Sequence, residues 1–566
     1  MPEYLSPGVY VEEVDRGPKP IEGVGTAMAC FVGFTEKAQL VEQVDGETVT
    51  RDLLNKPQLV TNWTQYVERF GGFIDGAVTP LSVYGYFQNG GSRCYVVSVR
   101  TIPKAQAGLL NADGRPQLVL QSKQAGFGGL RLRARVEYPK VEAPAAPART
   151  FGSFGSTAAG GEGEGTEGTS ETPPASGGSA TNGQAPFTLV IEREKLSGGW
   201  QTQETFKDVK LVEVTLDDGA KRPAVAFPNN RSSQLVDVVI PDPAQPLAKL
   251  WPREQQQPFT IENRLLSAPT SSEFQGDVME RSGVEGLEAI DDITMVVLPD
   301  LMTTMPGQKL DLNMVKAVQS MAIAHCERLK DRVAILDAPP NMSPQAIKKW
   351  RMDVAGFDSS YATLYYPWIQ VQDPVSNRPI NIPPSGHIAG VWARNDNTRG
   401  VHKAPANEVV LGAVGLATNI TKGEQDTLNP VGINCIRAFP GRGIRVWGAR
   451  TLSSNPAWRY LNVRRLFNMV EKSIENGTQW VVFEPNDPFL WSQVTRDVSA
   501  FLRNVWRDGA LFGNSPAEAF YVKCDAELNP PEVRDLGRLV IEIGLAPVKP
   551  AEFVIFRISQ WAGPGA

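Results

Sequence analysis

Between Leu428 and Trp561 the spacing of apolar residues switches repeatedly between the period of a strand and that of a helix. Two short apolar runs, Val431–Phe439 and Gly443–Trp447, are hinged at Pro440-Gly441. Asn455 then stands as an N-cap before Pro456, an arrangement that starts a helix. Trp458, Leu461, Leu466, Phe467, Val470 and Ile474 recur at helical spacing until Gly477 supplies a stop. Trp480–Glu484 reads as a buried strand, and Asp487-Pro488 opens a second helix with Trp491, Val494, Val498, Phe501, Leu502 and Val505 on one face. Gly509 ends it, and strands are expected at Phe520–Cys524, Leu539–Ile543 and Phe553–Ile558. A chain so patterned is held to an α/β module built on two long amphipathic helices.

The stretches NPVGINCIRAFPGRGIRVWGARTL, WRYLNVRRLFNMVEKSIENGTQWVVFEPND and FVIFRISQ, in that order, resemble the C-terminal domain of tail sheath proteins of contractile phage tails and related injection systems. Upstream, FGGFIDGAVTPLSVYGYFQNGGSRCYVVSV and PPSGHIAGVWARNDNTRGVHKAPAN are similar to the same family. The chain departs from type VI secretion sheaths, whose body is divided between two chains.

A chain of 566 residues is long enough for several domains around more than one core. A net charge of -6 argues against nucleic acid as a partner. No run of about 18 apolar residues offers a membrane span, and Met1-Pro2-Glu3 opens nothing like a secretory leader. Cys30, Cys94, Cys326, Cys435 and Cys524 stand apart from one another, mostly inside apolar runs, and are expected as buried free thiols.

The remaining chain divides by composition into an α/β (α+β) multidomain protein. Residues 1–20 form an arm in which Val9-Tyr10-Val11-Glu12-Glu13-Val14 is extended but too short to build a core. Residues 21–100 carry an apolar strand at Val24–Phe34, helices at Asn62–Phe70 and Leu81–Asn89, and a strand at Cys94–Val99. Residues 281–400 resume the pattern with strands at Asp291–Leu298, Val333–Leu336 and Thr363–Val371 and a helix at Leu312–Leu329. The two pieces read as one split domain interrupted by a strand-rich insertion, 101–280, with strands at Leu130–Tyr138, Phe187–Glu192, Val209–Leu216 and Leu235–Ile240. Within it, 151–186 is a Gly/Ser/Thr/Glu/Ala-rich tract whose composition predicts disorder. Residues 401–550 make the C-terminal core domain and 551–566 a second arm.

Catalytic signals are poor. Asp337 ends a strand, Ser385 precedes His387 by two residues, and the three can be drawn as a Ser–His–Asp set, but no G-x-S-x-G elbow is present. His325 reads as a packed helical residue. No metal-ligand spacing or phosphate loop appears, and Gly126–Gly129 reads as a turn, so no cofactor and no metal are expected. The charged and polar residues of the loop 383–407, Arg394, Asp396, Arg399, Lys403 and Asn407 among them, read equally well as solvated loop residues or as contacts to neighbouring subunits.

The resemblance implies a structural subunit and no enzyme. It implies a homo-oligomer of stacked six-membered rings around an inner tube protein, contracting to drive the tube through a target envelope, with baseplate and tail-terminator or cap proteins as further partners. Assembly in the bacterial cytoplasm and final residence in a phage tail or tail-like particle are implied with it. A baseplate or tail-end adaptor with a sheath-like C-terminal domain is the rival. By residue pattern the N-terminal run is a frayed end or an edge strand; the resemblance makes Val9, Tyr10, Val11 and Val14, with Val554, Ile555, Phe556 and Ile558 at the other end, strands exchanged between subunits. On the second helix Arg496, Arg503 and Arg507 lie at i, i+7 and i+11, one stripe opposite the apolar face. This is an ordinary solvated face, or by the resemblance the contact to the inner tube, with Arg464 and Arg465 as the competing pair.

Overall fold

The computed structural model describes residues 21–44, 47–139, 185–195, 197–215, 221–555 and 557. The chain divides into two compact units, Lys104–Ile261 and the remainder on either side of it. The first is mostly β, with a five-stranded antiparallel sheet in the order Lys221–Ala226, Trp200–Thr215, Phe187–Glu194, Leu132–Glu137, Gln255–Pro258 and a three-stranded one built on Pro116–Ala125. It is narrower than the 101–280 expected from composition. The low-complexity tract lies almost wholly outside the described residues.

The larger unit is organised by one eight-stranded sheet. Its strands are β1 (Ala29–Thr35), β2 (Gln58–Val60), β3 (Cys94–Thr101), β4 (Met295–Val297), β5 (Val333–Asp337), β6 (Ala362–Tyr366), β7 (Ile433–Phe439) and β8 (Gly443–Val446). They lie in the order β8-β7-β6-β5-β4-β1-β3-β2. The six central strands run parallel and the two edge strands antiparallel. Every residue of β1, β4, β5 and β6 is buried, as a parallel sheet covered on both faces requires. Pairing of β1 with β4 in the register Ala29↔Met295 and Phe31↔Val297 joins the two pieces that the insertion separates in sequence.

β7 and β8 also belong to this sheet, through Leu364↔Ile433 and Tyr366↔Cys435. A boundary at residue 401 is therefore too early for the C-terminal domain, because the apolar run Val431–Phe439 is consumed as a buried parallel strand. The segment Thr363–Val371 is two strands, broken at the cis Tyr366-Pro367 bond.

The helices of eight residues or more are α1 (Trp63–Phe70), α2 (Thr79–Gln88), α3 (Leu312–Leu329), α4 (Ser385–Arg399), α5 (Leu461–Gly477) and α6 (Pro488–Arg507). The stretch expected as a loop at 383–407 contains α4, whose residues Ser385–Ala393 are all buried. α4 packs against α2 at a separation set by glycine. A Cβ on Gly390 would lie 2.5 Å from the Tyr86 carbonyl oxygen, and one on Gly386 2.6 Å from Ser82 Cα.

Two buried carboxylates hold this helix pair at the carboxyl ends of the strands. Asp300, just beyond β4, accepts from the backbone N–H groups of Phe34 (2.7 Å), Val78 (2.5 Å) and Thr79 (3.1 Å), and from Thr303 Oγ1 (2.9 Å). Asp337, ending β5, accepts from Ser385 N (3.0 Å) and Ser385 Oγ (2.5 Å). Each satisfies the orphan donors at a helix start.

Candidate assembly interface

The C-terminal body is built on α5 and α6. Asp487 accepts from Leu490 N at 2.9 Å with Pro488 in the first turn, so the N-cap written in the sequence is the one used. Trp491, Val494, Val498, Phe501, Leu502 and Val505 are all buried, and most of this face shares one core with Ile21, Leu466 and Val470.

Trp480–Glu484 is not a strand. Gln479–Val481 forms a 3-10 turn, Phe483 takes φ 70°, and Val482 and Phe483 stand in solvent. Trp480 and Val481 are half-buried against the α6 core, but nothing among the described residues buries Val482 and Phe483.

Two further strands lie on α6: β9 (Phe520–Lys523) and β10 (Glu542–Leu545), antiparallel in the register Phe520↔Leu545 to Lys523↔Glu542. Phe520, Val522, Ile543 and Leu545 rest on the α6 core. Neither strand has a second neighbour among the described residues. A two-stranded ribbon of four residues a side is marginal by itself, and each of its outer edges carries unpaired backbone donors and acceptors. Sequence patterning marks the strands but gives no sign that the sheet stops at two.

At the end of the chain the reverse holds. Phe553, Val554 and Ile555 are 71%, 69% and 78% exposed and lie in no strand. The strand expected at 553–558 thus has no partner among the described residues over its described part. Phe556 and Ile558 lie outside the described residues, as do Val9, Tyr10, Val11 and Val14.

The arginines separate into two kinds. Arg496, Arg503 and Arg507 are exposed along α6. Arg496 Nε bonds Asp497 Oδ1 at 3.1 Å, whereas Arg503 and Arg507 have no ion-pair partner among the described residues. Arg464 and Arg465 are buried. The Arg464 guanidinium lies 4.2 Å from the Trp458 ring and bonds Asn468 and Glu471. Arg465 is paired with Asp396 and bonds the Thr26 carbonyl at 2.9 Å. Both are internal ties of the body, so the competing pair drops out as a surface. In the 383–407 segment Asp396, Arg394 and Lys403 are likewise internally bonded; Lys403 Nζ meets Glu408 at 2.6 Å.

The Ser–His–Asp set is not assembled. Ser385 bonds Asp337, whose carboxyl is pushed up to about 7 because burial outweighs those two hydrogen bonds. His387 packs elsewhere, against Gly85, where a Cβ would come within 2.2 Å of its ring; its Nδ1 has no partner among the described residues, and burial holds its pKa down to about 4. His325, buried beside Arg328 and Arg332, is held at about 3, first by burial and then by those charges. Among the described residues no group of three or more His, Cys, Asp and Glu is placed to hold a metal, and no helix is long and apolar enough to cross a membrane. Cys30, Cys94, Cys326 and Cys435 are buried free thiols, and Cys524 is half-buried.

Residues 283–452 match the family described as the phage tail sheath protein central domain, and residues 453–560 match the phage tail sheath C-terminal domain. The chain belongs to the tail sheath family. The two matches abut, covering β4 to β8 and then α5, α6 and the β9–β10 ribbon. The tail sheath protein of Vibrio phage KVP40 is 26% identical over 268 residues, which is 43% of this chain and 39% of that protein. A putative prophage major tail sheath protein of Pseudomonas aeruginosa (strain UCBPP-PA14) is 27% identical over 291 residues, 50% of this chain and 70% of the relative. The chain thus aligns with well under half of the phage relative's length. In fold, it is similar to a sheath complex of an extracellular contractile injection system in its contracted state, with a TM-score of 0.55, 20% identity and 99% of each chain covered.

Proposed function

We propose that this chain is the repeating subunit of a contractile sheath, stacked in rings of six around an inner tube. Its contraction drives the tube through a target envelope. The observation that carries the reading is a complementary pair of deficits. Among the described residues the β9–β10 ribbon lacks further strands, while the apolar end Phe553–Ile555 lacks a sheet. Strand donation from one subunit to the next satisfies both. The N-terminal run Val9–Val14 is taken as the second donated strand, one for each free edge of the ribbon.

Such links suit a sleeve that must shorten without falling apart. Each backbone hydrogen bond nets about 1 kcal/mol, so a donated strand holds by a few. The links persist while the globular bodies rotate and re-dock. A modest gain per subunit, summed through the polymer, makes contraction one-way. The exposed stripe Arg496, Arg503 and Arg507 is assigned to the inner tube, a contact individually weak and salt-screened and therefore able to release. Baseplate and terminator or cap proteins close the two ends, and assembly takes place in the bacterial cytoplasm before the particle is completed.

Electron microscopy of the purified chain tests the reading. Long hollow sleeves are expected. Discrete rings or single particles that never extend would instead make it an adaptor at the baseplate or tail end.

A further inference from the structure

The described chain beside each segment read above as an arm is fastened to α5, at opposite ends of the helix. On the C-terminal side the chain returns from β10 along the start of the helix, where Asn462 Nδ2 donates to the Val548 carbonyl at 3.1 Å. Four residues on, the Glu552 carboxylate is gripped by three side chains. Arg450 donates Nε to Oε1 (2.9 Å) and Nη2 to Oε2 (2.6 Å), Asn429 Nδ2 donates to Oε1 (2.6 Å), and Tyr460 OH donates to Oε2 (3.2 Å).

Arg450 is itself held within the body. It is 8% exposed, its N–H bonds Asn434 Oδ1 at 2.7 Å, and its carbonyl accepts from Asn434 and Thr363, on β7 and β6. Glu552 is thereby tied to the main sheet. The next residue, Phe553, is 71% exposed, so the change from held to unheld chain falls within one peptide unit.

The N-terminal segment is fastened at the far end of the same helix. Ile21 is buried on Gly477, where a Cβ would come within 2.7 Å of it, and Val24 N donates to Ser473 Oγ at 3.0 Å. About two turns back along α5, Arg465 holds the Thr26 carbonyl. Residues 462 and 477 are separated by about 22 Å of helix at 1.5 Å per residue.

We propose that α5 is a strut fixing the separation of the two arm bases, and that Glu552 is the positioning residue that fixes the C-terminal one. This rests on the reading that the arms are donated. A donated strand is worth its hydrogen bonds only if its base is already in place; each freely rotating residue between body and strand adds ordering entropy to association. A bidentate, charge-assisted grip on the last held residue removes that cost before the neighbour arrives. The strut then gives every subunit the same link length in both packings of the sleeve.

The test compares four proteins: wild type, E552Q, Y460F, and a chain ending at Ala551. In the first measurement, made with Cys524 replaced by Ser, spin labels at G23C and F553C report the distance between arm bases in the monomer. Both sites have room for a label: a Cβ on Gly23 would meet nothing within 4 Å, and Phe553 is exposed. A narrow distribution is expected in the wild type and a broad one in E552Q, both read well below the temperature at which either protein unfolds. In the second, the concentration needed for sleeves rises on the order of tenfold in E552Q, as loss of about one charged hydrogen-bonded grip implies. Y460F, which removes one bond of the four, falls between. Equal distance distributions, or E552Q sleeves at the wild-type concentration while the truncated chain makes none, would overturn the strut and leave strand donation standing. Normal sleeves from the truncated chain would overturn C-terminal donation itself.

Discussion

Arg465 on α5 and Asp396 on α4 form a two-bonded ion pair, Nη1 to Oδ1 at 2.9 Å and Nη2 to Oδ2 at 2.5 Å, with each side chain only 3% exposed. The guanidinium also lies 4.7 Å from the Trp392 ring, and Thr26 Oγ1 donates to the same carboxylate at 2.7 Å. One contact therefore ties the C-terminal body, the helix covering the main sheet and the N-terminal segment. Removing one partner strands the other in a dry site. Arg465→Ala should lower stability by about 3–5 kcal/mol in urea unfolding, and Arg465→Met with Asp396→Leu should recover most of the loss. A loss below about 1 kcal/mol for the single variant would mean that water reaches the pair.

Asp337 gives a pH signature. Its folded pKa of about 7 lies above the usual carboxylate value, so between roughly pH 4 and 7 the folded state binds a proton that the unfolded state has lost. Its contribution to stability therefore declines as pH rises through that window and is flat above it. Buried His387, held at about 4, acts oppositely over nearly the same range, because the unfolded chain takes up a proton below about 6.5 that the fold resists. His325, held at about 3, adds to the His387 slope, so in the wild type the Asp337 slope is masked by the two histidines. In D337N the Asp337 slope is absent, so its stability relative to wild type should climb from about pH 4 to about 7.5 and then level. A pH-independent difference would show that Asp337 is ionised throughout.

What is legible in the sequence follows from which residues carry their own signal. α6 reads to the residue because Asp487-Pro488 writes its start, Gly509 its end, and the core face is interrupted by charge. α4 escapes because Pro383-Pro384, two glycines and Asn395-Asp396-Asn397 argue for a loop, and because its first nine residues are buried on every side, leaving no periodicity to detect. Its glycines are there for close approach to α2, a tertiary reason invisible in one helix. Trp480–Glu484 misleads in the other direction: apolar composition stands for burial, and Val482 and Phe483 are buried by nothing among the described residues. At the proposed interface, the arginine stripe and the apolar end are readable, but a ribbon with no third strand among the described residues belongs to topology.

Deletion of residues 1–17 should leave a folded, soluble protein that does not polymerise. The described body retains its own anchors, from Ile21 on Gly477 to Thr26 on Arg465, so its thermal unfolding should match that of the full chain within about 2 °C, as expected when only sub-kcal/mol changes occur. Sedimentation and microscopy are the checks. Sleeves of normal length from this truncation would remove the N-terminal run from assembly.

The stripe on α6 makes the last prediction. Arg503 and Arg507 have no ion-pair partner among the described residues, whereas Arg496 is bonded to Asp497, whose other oxygen is buried without one. Arg496→Glu with Arg503→Glu therefore reverses the stripe but also disturbs Asp497. Arg503→Glu with Arg507→Glu reverses it without breaking an ion pair of the described body. Each Arg–carboxylate contact at such a surface contributes about 0.2–1 kcal/mol and fades beyond a screening length of about 10 Å at 0.1 M salt. A ring of them grips by number, so the loss should be cooperative along the sleeve. Both double variants are expected to polymerise but to be found contracted and empty, where the wild type is extended around tube. Raising the salt should move the wild type toward the same state. If the Arg503/Arg507 pair still gives extended, filled particles, α6 does not face the tube. If only the Arg496 variant fails, the defect lies in Asp497 and the fold, not in the grip.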